Sequence, residues 1–298
     1  FIDSDQLVVN ELPSVNISGD AEICRQDVTK LYFNVNAGSS PWEVYYNING
    51  TPDSITLYNS TDSITLSPTI TTIYAIDSIT DILCSSPIID AATITVNQLP
   101  EIEVSGGGSV CNDGSEINVI ITTTSGTPTF NIEYTVGIDS RLASNIGYEY
   151  IINTNEAGTY SVTKATDSKD CIAQSITGNA TVNINPMPEA NIIAYPQPAD
   201  IDNPVIYFID ESILHVNGVW DFGYFGSYPD TTLENGDKIN HTFKDTGTYT
   251  VALEVMTDSG CVVTAYQTII IDQAFKIYIP TAFTPNNDLY NDYFLPIV

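Results

Sequence analysis

Apolar and polar residues alternate in short runs along the whole chain, with no sustained three-to-four-residue period. Thr, Ile, Val and Tyr dominate these runs, and clusters of Gly, Pro, Asn, Asp and Ser break them every 8 to 12 residues. β-Branched and aromatic side chains suit a pleated, half-buried surface, so the pattern predicts strands throughout and no long helix. No run of about 18 apolar residues is present, so no transmembrane helix is expected.

The strands recur in register. Leu12-Pro13 returns as Leu99-Pro100 and as Met187-Pro188, 87 and 88 residues apart, each following a strand-like run that ends in Asn (Asn10, Asn97, Asn185). Pro41, in SSPWEVYYNI, maps onto Pro128, in GTPTFNIEYTV, by the same shift of 87. A T-x-Y-x-[VI] strand start appears around Tyr74, Tyr160 and Tyr249, each followed within 10 to 12 residues by a cysteine: Cys84, Cys171 and Cys261. A fixed period of this size marks tandem modules. About 88 residues of short strands suit a two-sheet sandwich of the immunoglobulin kind, in which a Tyr near the penultimate strand often ties down a corner. The expected boundaries are the end of a preceding repeat at 1–11, repeats at 12–98, 99–186 and 187–273, and a separate segment at 274–298. The Leu-Pro joints predict short, stiff linkers and a semi-rigid rod.

Composition narrows the classes. Eight Lys and Arg face 37 Asp and Glu, a net charge of −29 that would repel a polyphosphate backbone, so nucleic acid is excluded as a partner. The acidic residues are spread rather than clustered, as on a soluble, self-repelling surface. A hydrophobic fraction of 43% is too high for a disordered acidic chain. There is no initiator Met and no signal peptide, and the chain opens on the tail of a strand at Leu7 and Val9, so it reads as a piece of something larger.

Cysteine spacing carries a further expectation. Cys24 and Cys84 return as Cys111 and Cys171, each shifted by 87. Equal spacing in two repeats predicts Cys24–Cys84 and Cys111–Cys171 disulfides, each closing about 60 residues and stabilising by roughly 4 kcal/mol on chain-entropy reasoning. Disulfides require an oxidising compartment, the periplasm or the cell surface. Cys261 keeps the later position in the third repeat with no counterpart near Ala199, which leaves a free thiol or a partner outside this sequence. Zinc fits poorly, since there is no C-x-x-C and both histidines lie far from the pairs.

Two stretches resemble known families. Trp220-Asp221-Phe222-Gly223, Asn240-His241-Thr242-Phe243 and Gly247-Thr248-Tyr249-Thr250-Val251 resemble the PKD domain, whose hallmark is W-D-F-G-D-G followed by H-x-F and G-x-Y-x-V. Tyr224-Phe225 stand where that family has D-G, so that turn is expected to be remodelled. The resemblance implies an extracellular spacer or protein-contact sandwich and no catalysis. The first two repeats resemble the immunoglobulin-like modules that accompany PKD domains in giant bacterial surface proteins.

The second stretch is the tail. In Ile277–Val298, Pro280, Ala282, Phe283, Thr284, Pro285, Asn286, Asp288, Asn291, Asp292 and Phe294 resemble the opening of the gliding-motility-associated type B C-terminal sorting domain. Thr281, Asn287 and Leu289 depart from its pattern, and several dozen further residues of such a domain do not follow. That resemblance implies export through the type IX secretion system of Bacteroidota. Its partners would be the outer-membrane translocon and the β-barrel shuttle protein that receives sorting domains, followed at the cell surface by gliding machinery or surface ligands. It also draws notice to Asp-Ser/Thr sites resembling O-glycosylation acceptors of this bacterial group, at Ser54, Ser63, Ser78 and Thr231. The fold class expected is therefore all-β, with tandem immunoglobulin-like and PKD-like β-sandwiches followed by the start of a β-rich sorting domain.

Candidate chemistry is sparse. No G-x-S-x-G, H-E-x-x-H, Walker loop or dinucleotide fingerprint occurs, and Gly106-Gly107-Gly108 precedes Cys111 rather than a helix. His241, within the PKD-like pattern, reads as a structural hydrogen-bonder. Calcium is the one cofactor to weigh, at Asn286, Asp288, Asn291 and Asp292 or at Asp200-Ile201-Asp202-Asn203, although turns use the same residues. Trp42, Tyr45 and Tyr46 would serve a carbohydrate only if all three faced outward. The sequence thus points to the C-terminal stalk and secretion-signal region of a large adhesin of gliding bacteria. The alternative is the spacer and sorting region of a secreted polysaccharide- or protein-degrading enzyme whose catalytic domain lies upstream.

Overall fold

The computed structural model describes residues 9–223, 231–233, 238–274, 285–287, 289, 292 and 293. The chain is all-β, built of tandem two-sheet sandwiches. No helix of the described residues is long and apolar enough to cross a membrane. It forms two compact units: residues up to Gly108 together with Glu116–Asn183, and Ser109–Ser115 together with the residues from Ile184 onward.

In the first repeat, a three-stranded sheet (Ser14–Ser18, Thr29–Ala37, Thr61–Leu66) faces a five-stranded one ordered Ala21–Cys24, Ser85–Asn97, Thr72–Thr80, Trp42–Ile48, Thr51–Leu57. Alternation explains the layering, because successive strand side chains point to opposite faces. Leu31, Phe33 and Val35 turn inward from one sheet; Val44, Tyr46, Tyr74, Ile76, Ala92 and Ile94 meet them from the other, forming one core. The intervening Lys30, Tyr32 and Asn36 are exposed or half-buried.

The second repeat repeats the plan. One sheet is ordered Glu149–Thr154, Ile117–Ser125, Glu101–Gly106, Ser175–Gly178. In the other, Ala180–Asn185, Gly158–Thr166, Phe130–Val136 and Asp139–Ile146 lie side by side. The third has Ile192–Tyr195, Val205–Asp210 and Lys238–Thr242 in one sheet. The other runs Ala199–Asp200, Val262–Asp272, Gly247–Met256, Asn217–Asp221, Thr231–Leu233. Its core is more aromatic: Trp220 and Phe222 stack with centroids 6.0 Å apart, and Phe208 tilts against both.

The recurring tyrosines occupy corresponding places. Tyr74 pairs with Ala92, Tyr160 with Ala180 and Tyr249 with Ile269, each on the strand beside the last strand of its sandwich. The Tyr160 hydroxyl donates to the Glu156 carbonyl at 3.1 Å and the Tyr249 hydroxyl to the Asp245 carbonyl at 2.8 Å. Both partners lie four residues back, so the corner expected from the sequence is formed in these two repeats. The joint prolines Pro13, Pro100 and Pro188 are all buried.

The first strand of each sandwich leaves one sheet and joins the other, which demands a sharp bend. In the first two repeats a glycine with positive φ supplies it: Gly19 (φ 126°) and, 87 residues on, Gly106 (φ 88°). A Cβ on Gly19 would sit 2.5 Å from the Lys30 carbonyl oxygen, so neither the dihedral nor the space admits a side chain. In the third repeat Pro196 and Pro198 stand at the corresponding bend. Replacing Gly19 with Val should therefore destabilise the fold by about 2 kcal/mol or more. The same change at Gly50, where a Cβ would meet nothing within 4 Å, should cost visibly less. Denaturant midpoints of the two variants make the comparison.

Candidate functional site: the cysteine loops

Among the described residues the most structured polar chemistry surrounds the cysteines. The expected pairing is corrected by the structure. Cys24 bonds Cys171 with Cα atoms 5.5 Å apart, and Cys111 bonds Cys261 at 5.6 Å, so neither Cys24–Cys84 nor Cys111–Cys171 forms. Cys84, not Cys261, is the free cysteine among the described residues.

The physical reason lies in one strand. Cys24 ends the edge strand Ala21–Cys24, whose parallel register places it beside Asn97. Cys84 immediately precedes Ser85, at the other end of the same Ser85–Asn97 strand. Thirteen residues at roughly 3.3 Å each separate those ends by about 40 Å, whereas a disulfide needs Cα atoms within about 7 Å. Cys24 lies where the chain leaves its sandwich, beside the following repeat. The bond to Cys171 therefore joins the first repeat to the second, inside one compact unit. Cys111 follows the same logic: Asn112 N–H donates to the Asn185 carbonyl at 2.9 Å, as Arg25 N–H does to that of Asn97 at 2.8 Å. Its segment Ser109–Ser115, part of the second repeat by sequence, belongs to the second unit with Cys261.

The later cysteines sit in three similar loops. Asp81, Asp167 and Thr257 are each buried, and their side chains accept the N–H of Cys84 (2.7 Å), Cys171 (2.9 Å) and Cys261 (3.0 Å). Their own N–H groups donate to the carbonyls of the same cysteines at 2.9, 3.1 and 2.9 Å. The second carboxylate oxygen reaches across to a neighbouring loop, accepting Ser39 N–H for Asp81 and Thr127 N–H for Asp167, both at 2.9 Å. The donors of Ser39, Leu83 and Cys84 hold the Asp81 carboxyl below its ordinary range. Because this folded pKa is depressed, its contribution to stability is full above the unfolded value and disappears as acid titrates the folded group.

Around the Cys24–Cys171 bond, Lys169 Nζ meets Glu22 Oε1 at 2.7 Å, and the amides of Gln26 and Gln174 pair at 3.2 Å. The Lys169 hydrogen bond, with a second from Asn97, draws the Glu22 carboxyl below its usual value. An open cleft of about 650 Å³ lies beside the bond, lined in part by Val28, Asn97 and Asp170. Such exposed ion pairs position more than they stabilise.

Other candidate side chains, where described, make the following contacts. His241 stacks on Phe222 at 4.4 Å and meets Phe243 edge-on at 4.8 Å. His215, which sequence reasoning left without a role, pairs its Nε2 with Asp210 Oδ2 at 2.9 Å, both side chains fully buried. Trp42 and Tyr46 are buried and only Tyr45 faces out, so these three form no aromatic platform. Asp200 Oδ1 accepts the N–H groups of Asp202 and Asn203, and Asp292 accepts those of Asn287 and Leu289, as in polar turns. Among the described residues no group of three or more His, Cys, Asp or Glu is placed to hold a metal. Of the tail, Pro285, Asn286 and Asp292 are described, whereas Pro280, Phe283, Thr284, Asp288, Asn291 and Phe294 lie outside the described residues, as does the Tyr224-Phe225 turn.

Residues 185–271 match the family model of the PKD domain. This covers Trp220, His241, Phe243 and Tyr249, the residues on which the resemblance was drawn. No curated protein matches the chain. Among solved structures, a chain from a study of a 1.5-MDa bacterial ice-binding adhesin aligns over 89% of this chain and 100% of that solved chain, at 12% identity and a TM-score of 0.43. The mouse nectin-like molecule 4 ectodomain, Ig1 to Ig3, aligns over 88% of this chain and all of its own, at 12% identity and 0.37. Scores at this level speak to neither function nor partner.

Substituting Asp167 with Ala would strand the N–H groups of Thr127, Lys169 and Cys171. The expected loss is about 3 kcal/mol, readable as a lower denaturant midpoint. Breaking the exposed Lys169–Glu22 pair with Lys169→Met should change it by under about 1 kcal/mol.

Proposed function

We propose that this chain is the C-terminal stalk and export region of a large cell-surface adhesin of gliding bacteria, delivered by type IX secretion. The repeats at 12–98, 99–186 and 187–273 would form the stalk, and 274–298 would open the sorting domain. The observation that carries the stalk reading is the interleaving of the two disulfides, Cys24–Cys171 and Cys111–Cys261.

Interleaved bonds shorten the covalent path. From Cys24 to Cys261 the backbone spans 237 residues (261 − 24), but the route through Cys111 and its bond spans 87 (111 − 24). At about 3.5 Å per extended residue, an unfolded stalk would be prevented from lengthening by roughly 500 Å. A surface protein under tension gains from such a limit, whereas a freely diffusing binding module does not. Disulfides also support an oxidising compartment outside the cytoplasm, and the PKD match over 185–271 supports a spacer role. Catalysis has no part in this reading.

The export half rests on the tail's likeness to type B sorting domains. Its partners would be the outer-membrane translocon and β-barrel shuttle, and an apolar strand with Phe283 and Phe294 would suit capture by strand addition. Deletion from Ile277 onward should leave the three sandwiches folded, with unchanged thermal unfolding, and abolish surface exposure while the protein accumulates in the periplasm. Normal surface levels of the truncated protein would refute the export reading.

A further inference from the structure

We infer that Cys84 is the receiving half of a third inter-repeat disulfide, whose partner is the edge-strand cysteine of another sandwich module of this same type. Three loops of matching design, not one thiol, point to it. Cys84, Cys171 and Cys261 share a buried acceptor that takes the cysteine N–H, and the same return bond to the cysteine carbonyl. Two of the three are bonded, each to an edge-strand cysteine of the preceding repeat, 147 and 150 residues earlier. Those two are buried, at 0% and 1% exposure, while Cys84 remains half-buried in an otherwise matching loop.

The neighbouring side chains specify the partner further. Glu22 and Lys169, which meet at 2.7 Å, each lie two residues before their bonded cysteine. The corresponding residue before Cys84 is Ile82, which is 68% exposed, and Leu83 beside it is 58% exposed. The matching module should therefore carry an apolar residue, not an acid, two positions before its cysteine. A second copy of this chain does not qualify, because both of its edge-strand cysteines, Cys24 and Cys111, are already bonded. Formation of the bond takes two protons and two electrons from the two thiols. A low-molecular-weight disulfide accepts both and leaves as two thiols.

The test extends the chain by one module. Residues 12–98 are repeated ahead of residue 12, with Glu22→Leu in the added copy only, and the protein is refolded in a glutathione redox buffer. Non-reduced peptide mapping should show Cys24 of the added copy bonded to Cys84 of the original, leaving one thiol, Cys84 of the added copy. The same protein with Cys84→Ser in the original copy should keep its circular dichroism spectrum and show two thiols. Three thiols in the unsubstituted protein, or a bond between Cys24 and Cys84 within the added copy, would overturn the inference. The polypeptide from its natural source gives a second reading that does not depend on the engineered chain folding. Its Cys84 peptide should emerge bonded to a cysteine outside Phe1–Val298, and recovery of Cys84 as an alkylated thiol or as a Cys84–Cys84 dimer would overturn it equally.

Discussion

A strand of thirteen residues, Ser85–Asn97, sets what the cysteines can do. Cys24 is fixed beside one end by parallel pairing and Cys84 leads into the other, so the length of the strand forbids a bond within the repeat. Each cysteine must look outward along the chain, and a thiol at the exit of one sandwich finds the loop of the next. Much else follows from that separation, including the interleaved order of the bonds, the burial of Cys171 and Cys261, and the half-buried state of Cys84.

The cysteine loops are held by hydrogen bonds within their own repeats, independently of the disulfides. A carboxylate or hydroxyl placed three or four residues before the cysteine satisfies N–H groups that a short turn would otherwise leave without partners. Asp81 and Asp167 also span to the neighbouring loop, fixing the cysteine relative to the sandwich rather than to its own turn alone. The same device thus serves folding and linkage, which is why removing Asp167 is expected to matter far more than removing the exposed Lys169.

Most of the architecture was legible in the sequence. Short alternating runs of Thr, Ile, Val and Tyr predicted strands throughout, and the T-x-Y-x-[VI] pattern gave the equivalence of Tyr74, Tyr160 and Tyr249. The PKD-like pattern around Trp220 and Tyr249 was specific enough to be matched over 185–271. The disulfide pairing was not read correctly, because equal spacing within repeats says which cysteines correspond, not which ones meet. The missing signal was the number of strand residues between Cys84 and Asn97, which places the two thiols of a repeat at opposite ends. His215 with Asp210 was also missed, since a buried pair five residues apart leaves no periodic mark. Trp42, Tyr45 and Tyr46 divided between core and surface as strand alternation requires.

Cutting the backbone between the first two repeats tests their covalent joining through Cys24 and Cys171. A specific protease site is inserted after Gln98, at the joint of the first two repeats, and the oxidised protein is cleaved and run on a denaturing gel. The two pieces should migrate as one species without reductant and separate when reductant is added. Separation without reductant would show that no Cys24–Cys171 bond joins the repeats and would contradict the linkage.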